Sequence, residues 1–387
     1  MRPNIIGHFC GACTLAALLV STQAPAAEEP AARSSHHQPK LIEFDAPNAS
    51  TFAGFGTFAL GNNDEGSIVG YFIDSTIVTR AFLRTPDGRI KVFNGPDAGT
   101  DTSTGQGQGT YVFAINDFGA IVGYSQATDN SYHGFVRRPD GNFVSIDAPD
   151  AGGGPGQGTA PWSINLEGAT AGIYIDQAYT LHGFVRSPSG KISEFDPEGS
   201  VQTYPCEETC LNVEGEVVGS YLTSDSTQHG FLREPGGAIK TFDAPGAGTT
   251  NGFGTIVASI TPEGEITGYI VDDNNVAHGF VRTRAGKFTV FDVPQASTAA
   301  GAGTVVFSIN LFREVTGAYW DSNIAMHGFT RAPDGRILII NAPDAGSASF
   351  QGTRPSTNNL FGAVTGWYFD SANVSHGFVW LPDFDPE

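Results

Sequence analysis

Six histidines, His133, His182, His229, His278, His327 and His376, each open a His-Gly-Phe triplet. Imidazole ligates metals and moves protons near neutral pH, so six copies in register raise both chemistries at once. Glu207 and Glu208, with Arg354, are the residue types a carbohydrate-active site uses: a carboxyl as acid or base, and a guanidinium to hold an acidic sugar. Asp74, Asp176, Asp272, Asp321 and Asp370 share one register and add carboxylates of the kind that bind calcium at loop mouths. Which of these side chains converge is decided by the elements that carry them.

Aligned by their Phe, the triplets mark a repeat through Phe82, Phe135, Phe184, Phe231, Phe280, Phe329 and Phe378, with gaps of 53, 49, 47, 49, 49 and 49 residues. The first of the seven copies reads Arg80-Ala81-Phe82. Twelve residues before each Phe stands a Gly, from Gly70 to Gly366. Seven residues before that Gly comes Asn63, Asn116, Asn165, Asn212, Asn310 or Asn359, with Thr261 as the one substitute. Words such as NDFG and NLEG read as tight turns, Asn bonding the turn and Gly supplying positive φ. Eleven residues after the Phe come Phe93, Ile146, Phe195, Phe242, Phe291 or Ile340, mostly in FDAP-like words whose Pro ends a strand. Each unit therefore reads as strand A, tight turn, strand B, loop, strand C with the triplet, tight turn, strand D, and a Gly-rich return loop. A four-stranded repeat of about 40 to 50 residues is the mark of a β-propeller blade.

The seventh unit has no strand D after its triplet, and the missing word, LIEFDAP, stands at Leu41 to Pro47, with Phe44 placed 49 residues before Phe93. The expectation is an all-β fold: a seven-bladed β-propeller of four-stranded blades over residues 41–387, closed by the N-terminal strand completing the last blade. Strand A would line a central channel and strand D would lie outermost. The triplet histidines then sit two strand spacings of about 4.8 Å out from the lining strand, on the order of 15 Å from their equivalents, and cannot share a metal. Each imidazole is expected to bond within its own blade, to the Asp of strand D (Asp147, Asp196, Asp243, Asp292) or the Thr opening strand A (Thr110, Thr159, Thr255, Thr304). The strand-C arginines, Arg84, Arg137, Arg186, Arg233, Arg282 and Arg331, are expected to make surface ion pairs with turn glutamates such as Glu65, Glu167, Glu214 and Glu263. The loop aspartates are expected to cap their loops through Asx turns in preference to holding calcium, and no metal or other cofactor is assigned.

The recurring words resemble the HAF-repeat family of bacterial extracellular proteins, with His-Gly-Phe in six units and Arg-Ala-Phe in one, over Leu41 to Glu387. The resemblance implies an exported repeat protein and lends no catalytic residues.

In a symmetric scaffold, function belongs where a copy departs from the rest. Strand A reads TYVFAI, TIVASI and TVVFSI in units two, five and six, but CEETCL (Cys206 to Leu211) in unit four and TRPSTN (Thr353 to Asn358) in unit seven. Three blades apart in a ring of seven, these face each other, so Glu207, Glu208 and Arg354 would form a charged channel site with Tyr204 at its rim. Cys206 and Cys210, on one unbroken strand, would have Cα atoms roughly 13 Å apart, beyond the approximately 7 Å reach of a disulfide. Either the strand is broken by a bulge or turn, allowing a bridge, or both thiols stay free. Tyr132, Tyr179, Trp320 and Trp367 fall near the long loops, where aromatic rings can stack on sugars.

Acidic residues outnumber basic ones 40 to 20, which argues against nucleic acid as a partner. Arg2, the apolar TLAALLV and the small-residue end APA at Ala24 to Ala26 read as a signal peptide over residues 1–26, followed by a polar leader at 27–40 expected to be disordered. No second apolar run predicts a membrane span. Nucleophile-elbow, zinc, phosphate-loop and dinucleotide signatures are lacking from the sequence. The reading is a secreted, noncatalytic, monomeric propeller that binds a polysaccharide or an envelope protein, with Tyr204, Glu207, Glu208, Arg354, Trp320 and Trp367 as ligand-binding candidates. The alternative is a polysaccharide lyase or glycoside hydrolase using Glu207 or Glu208 as acid or base and Arg354 to hold the substrate.

Overall fold

In the computed structural model, which describes residues 39–101, 107–206, 209–250 and 252–382, all seven aligned phenylalanines are at most 1 % exposed. Each lies directly across from the strand-B glycine of its unit, as in Gly70 with Phe82, Gly219 with Phe231 and Gly366 with Phe378. The glycine is required by space: a Cβ at Gly70 would stand 2.0 Å from the Phe58 carbonyl oxygen. A Cβ at Gly366 would also meet the ring of Phe378 at 2.8 Å. One large ring over one bare backbone position is the packing unit that the repeat copies.

The described residues hold 28 strands and no helix, so none of them forms a helix able to cross a membrane. Unit two shows the pattern: strand A Gly109–Ile115, B Ile121–Gln126, C Tyr132–Arg137 and D Phe143–Ile146 pair antiparallel in that order. Away from unit four, strand A of one unit touches strand A of the next, which makes it the innermost strand. The architecture is a β-propeller. In six units strand A slips register at one place, for instance between Val112 and Ala114 or Pro355 and Thr357. These bulges bend the strand where it meets the axis.

Successive units join at two levels. At one end, the first residues of strand C bridge to a glycine opening the next strand A, as Thr79 does to Gly109. Gly109 has a φ of 135°, and a Cβ there would lie 2.0 Å from the Thr79 oxygen. Unit four carries Gln202 instead, whose Oε1 accepts from the Leu181 N–H at 2.8 Å. Here the pairing network divides into runs of 12 and 16 strands. At the other end runs a chain of asparagines. Asn63 Nδ2 donates to the Asn116 carbonyl at 3.1 Å, Asn116 to Asn165 at 3.0 Å, and Asn165 to Asn212 at 2.9 Å. Asn212 reaches Thr261 at 3.3 Å, Asn310 reaches Asn359 at 3.0 Å, and Asn359 returns to Asn63 at 3.0 Å. Thr261 has no amide to pass the link on. At that joint Arg313 Nε meets Glu265 Oε2 at 2.7 Å.

The first and last of the described strands meet. Strand Lys40–Phe44 pairs antiparallel with Ser375–Leu381, Phe44 opposite Gly377, and so occupies the strand-D position of the last unit. Gly56 bridges to Ser375 at the same joint.

The strand-C arginines correct an expectation. Arg84, Arg137, Arg233, Arg282 and Arg331 place their guanidinium groups 4.5–5.1 Å from the ring centres of Phe44, Phe93, Phe195, Phe242 and Phe291. They are inter-blade cation–π contacts in place of the expected ion pairs with turn glutamates. Arg186 follows the unit whose strand D carries Ile146, and Trp380 replaces Arg against Ile340, in one apolar cluster with it. Arg186 thus keeps the cation without an aromatic partner on strand D, while the five cation–π contacts follow the units in which strand D carries Phe.

Candidate functional site

Triplet histidines stay within their blades. Nδ1 meets the strand-D carboxylate in His133 with Asp147 (3.1 Å), His182 with Asp196 (2.6 Å), His229 with Asp243 (2.8 Å), His278 with Asp292 (2.9 Å) and His376 with Asp45 (2.9 Å). Asn341 takes this place beside His327 at 3.1 Å. Nε2 faces a loop aspartate at 3.3–3.7 Å in His182, His278, His327 and His376. In unit one Arg80 spans the same gap, with Nε 2.6 Å from Asp74 and Nη1 3.4 Å from Asn94. The expected threonine partner is not used. Thr159 Oγ1 instead accepts the Ala148 N–H at 2.8 Å, and Thr110, Thr255 and Thr304 accept equivalent N–H groups.

The loop aspartates close Asx turns. Asp176 Oδ1 accepts the N–H groups of Ala178 and Thr180, both at 2.8 Å, and Asp74, Asp272, Asp321 and Asp370 repeat the arrangement. Among the described residues no cluster of three or more His, Cys, Asp or Glu is arranged to hold a metal.

A cavity of about 540 Å³ opens on the outer rim between units six and seven, lined by Glu43, Asp45, Asp344, Asp370, Tyr368 and His376. Burial, with the charges of Glu43, Asp344 and Asp45, pushes the Tyr368 phenol well above its usual range. Asp45 and Asp370 raise His376, the hydrogen bond to Asp45 most of all. The same residue types recur in unit three, as Glu194, Asp196, Asp150, Asp176, Tyr174 and His182. This rim is anionic and repels acidic ligands.

The axis is aromatic. Phe58, Leu60, Phe113, Ala160, Trp162 and Trp367 form one buried cluster, against which Tyr71, Tyr111, Tyr204 and Phe369 pack. Trp320 belongs to a second cluster with Val305 and Phe307. Both tryptophans are core residues, Trp320 at 9 % exposure and Trp367 at 8 %, and offer little open face for stacking on a ligand. Tyr132 is buried and Tyr179 is exposed at 36 %. Burial pushes the Tyr204 phenol up to about 12. Arg354 is half-buried on strand A of unit seven, its guanidinium carbon 4.2 Å from the Phe307 ring centre and 5.4 Å from that of Trp367. Among the described residues no carboxylate pairs with it. The structure thus gathers Arg354, Trp367 and Tyr204 around one aromatic axis, while Glu207 and Glu208 lie outside the described residues.

Unit four departs from expectation. Its strand A is Gln202–Pro205, with Thr203 in the threonine register, and CEETCL follows it. Thr203 and Asn212 are nine residues apart, whereas Thr110 and Asn116 are six apart, so three residues are inserted inside this strand. Counting from the turn asparagine as well as from the triplet would have exposed the insertion.

Neither a protein-family model nor a curated protein matches the sequence. Among solved structures, the chain is similar to the BP39L lectin of Burkholderia pseudomallei at 10 % identity, covering 90 % of this chain and 99 % of that one, with a TM-score of 0.51. A puromycin hydrolase aligns at 12 % identity and a TM-score of 0.48, over 88 % of this chain and 56 % of that one. The six-bladed fucose lectin of Aleuria aurantia gives 12 % identity and a TM-score of 0.34, over 90 % and 97 %. The first likeness supports the fold; the other two are too distant to bear on function.

Proposed function

We propose that this chain is an exported propeller of seven four-stranded blades, of the HAF-repeat kind, that binds carbohydrate at the mouth of its axis without transforming it. The observation that carries the reading is Arg354. In a chain of formal net charge −20 it is a half-buried cation without a carboxylate partner among the described residues, held over the rings of Phe307 and Trp367. A guanidinium fixed this way has its edge donors left for a ligand, and its fork geometry matches a carboxylate. Phe307 beside it, with Tyr111 and Tyr204 packed on the same axial cluster as Trp367, supplies apolar surface for a sugar ring. The lectin among the fold neighbours adds a precedent for sugar recognition on this architecture.

Retention on immobilised polysaccharides, neutral and uronate-containing, tests the reading. Arg354→Gln should weaken retention at least tenfold while leaving the unfolding midpoint within experimental error. Equal retention of the variant would refute the site. Release of shortened or unsaturated products by the wild-type chain would favour the enzymatic alternative.

A further inference from the structure

We propose that the A–B turns of units six, seven, one and two form a docking surface for a basic amphipathic polypeptide segment, at the end of strand A away from Arg354. The second residue after the turn asparagine, or after Thr261, is Glu65, Glu167, Glu214 or Glu263 in four units and Phe118, Phe312 or Phe361 in the other three. This position is exposed in all seven units. Phe118 is 70 % exposed, Phe312 61 % and Phe361 52 %, and Leu311 next to Phe312 is 39 % exposed. Where Glu serves in four copies, packing inside the blade does not call for Phe.

The inter-blade bonds set these turns side by side. Asn310 reaches the Asn359 carbonyl and Asn359 the Asn63 carbonyl, so Phe312 and Phe361 stand on neighbouring turns. The Leu360 N–H donates to Asp64 Oδ1 at 2.8 Å, and the Asp64 N–H donates to Asp117 Oδ1 at 2.9 Å. Asp64, Glu65 and Asp117 therefore lie between Phe361 and Phe118. At about 200 Å² for a whole Phe, the three leave roughly 350–400 Å² of apolar surface in water, the size at which a patch marks an interaction site.

Charge decides what covers this face. The three residues after each turn asparagine, or after Thr261, supply six carboxylates and one cation, Arg313, whose Nε is 2.7 Å from Glu265 Oε2. Burial first, and then Asp117 and Glu65, push the Asp64 carboxyl above its usual range, and a cation beside it would stabilise the charged form. A second copy of the chain would set carboxylates against carboxylates at net charge −20 each. The patch also falls short of the about 800 Å² per partner that a stable dimer buries. A segment with Lys or Arg along one side and Leu or Phe along the other meets both the rings and the carboxylates. The inference does not rest on the sugar-binding reading.

The probes are three fluorescein-labelled synthetic peptides of about 14 residues with helical spacing: Lys with Leu, Glu with Leu, and Lys with Ser. Fluorescence anisotropy at about 0.15 M salt follows their binding to the full chain. The Lys/Leu peptide should bind, and each of the other two should bind roughly tenfold more weakly or worse. Phe118→Gln/Phe312→Gln/Phe361→Gln should lose roughly tenfold or more for the Lys/Leu peptide with its unfolding midpoint unchanged, because a polar side chain already occupies this position in the other four units. Asp64→Asn, which keeps the acceptor for the Leu360 N–H, should weaken the same peptide several-fold. Undiminished binding by the triple variant would reduce the effect to attraction by an acidic surface and overturn the proposal. So would equal binding of the Glu/Leu or Lys/Ser peptide to the wild-type chain, or no binding of the Lys/Leu peptide at about 1 mM, two results that need no variant to fold. A dimer seen by sedimentation and abolished in the triple variant would assign the face to a second copy instead, and capture by phosphatidylcholine vesicles that the triple variant loses would assign it to lipid.

Discussion

Replacing one asparagine of the inter-blade chain separates what its side chain does inside a turn from what it does between blades. Asn116 is 7 % exposed. Its Oδ1 accepts the Ala120 N–H at 2.9 Å, closing the A–B turn, and its Nδ2 donates to the Asn165 carbonyl at 3.0 Å, joining unit two to unit three. Asn116→Ala removes both bonds; the half-buried Ala120 N–H loses its partner while the Asn165 carbonyl keeps the Gly168 N–H, at about 1 kcal/mol for each bond and more for the orphaned N–H, so about 2–3 kcal/mol in all. Asn116→Thr imitates unit five, where Thr261 Oγ1 accepts the Glu265 N–H at 3.1 Å. It keeps the turn and loses only the link, at about 1 kcal/mol.

The reciprocal change, Thr261→Asn, offers the missing amide to the Asn310 carbonyl and should stabilise by about 0.5–1.5 kcal/mol. Urea unfolding followed by far-ultraviolet circular dichroism, with slopes compared to check that one transition is being read, gives the three midpoints. The expected order is Thr261→Asn above wild type, then Asn116→Thr, then Asn116→Ala. If Asn116→Thr proved as damaging as Asn116→Ala, the amide link would carry nothing and the turn would carry everything. A destabilising Thr261→Asn would show that the Arg313–Glu265 pair already fills that joint.

Phe44 packs its ring over Gly377, 6.0 Å from the Phe82 ring and under the Arg84 guanidinium at 4.9 Å, so Phe44→Ala should cost about 2–3 kcal/mol, somewhat below a fully buried Phe; a thermal midpoint unchanged by it would deny the N-terminal strand its closing role. His376 bonds Asp45 across the same closure, and this bond raises its pKa above the ordinary 6.5. Stability from the charged pair is therefore complete below the unfolded pKa and is lost as pH rises through the higher folded one. Asp45→Asn should flatten that decline in unfolding midpoints taken between about pH 5 and pH 9, and an equally steep variant would place the dependence elsewhere. Binding of a uronate polysaccharide should strengthen as salt rises from about 0.01 to about 0.15 M, because screening acts on the long-range repulsion from net charge −20 more than on contact with Arg354. Titration calorimetry at several salt concentrations reads this directly, and a steep loss of affinity would point to a cationic patch instead.

The parts of the fold that were legible in the sequence are those that every copy needs. A Phe that must be buried and a Gly that must lack a Cβ recur at fixed spacing because each unit solves the same packing problem, and Phe44 shows its phase through the same register. Three features were hidden, each for a physical reason. The asparagines read as turn residues because Oδ1 acts locally, whereas the Nδ2 bond crosses to a neighbour 47–53 residues away in most of the chain. The strand-C arginines read as ion-pair partners because their aromatic partners belong to the preceding unit. The insertion in unit four was masked because CEETCL has the length and threonine content of a strand A. Trp320 and Trp367, placed near loops by register, face inward because their side chains alternate into the axial clusters.

The departures from symmetry also sort into kinds. Arg80 for His, Asn341 for Asp and Trp380 for Arg each preserve a contact by other means, so they carry no argument for function. Arg354 and the insertion after Pro205 are different, because each changes the innermost strand and neither restores what the other copies do there. At Arg354 an apolar or aromatic wall residue gives way to a cation. In unit four the strand ends at Pro205, and three more residues than in the other copies precede the turn asparagine, Asn212. Arg354 sits on the innermost strand of its unit, an element held by the inter-blade contacts that the rest of the repeat supplies. A propeller selected only for stability would gain by an apolar residue at 354, where a guanidinium must be desolvated against Phe307 and Trp367 without an ion-pair partner among the described residues. Under the proposed carbohydrate-binding function, a ligand carboxylate would supply the partner that the described residues do not.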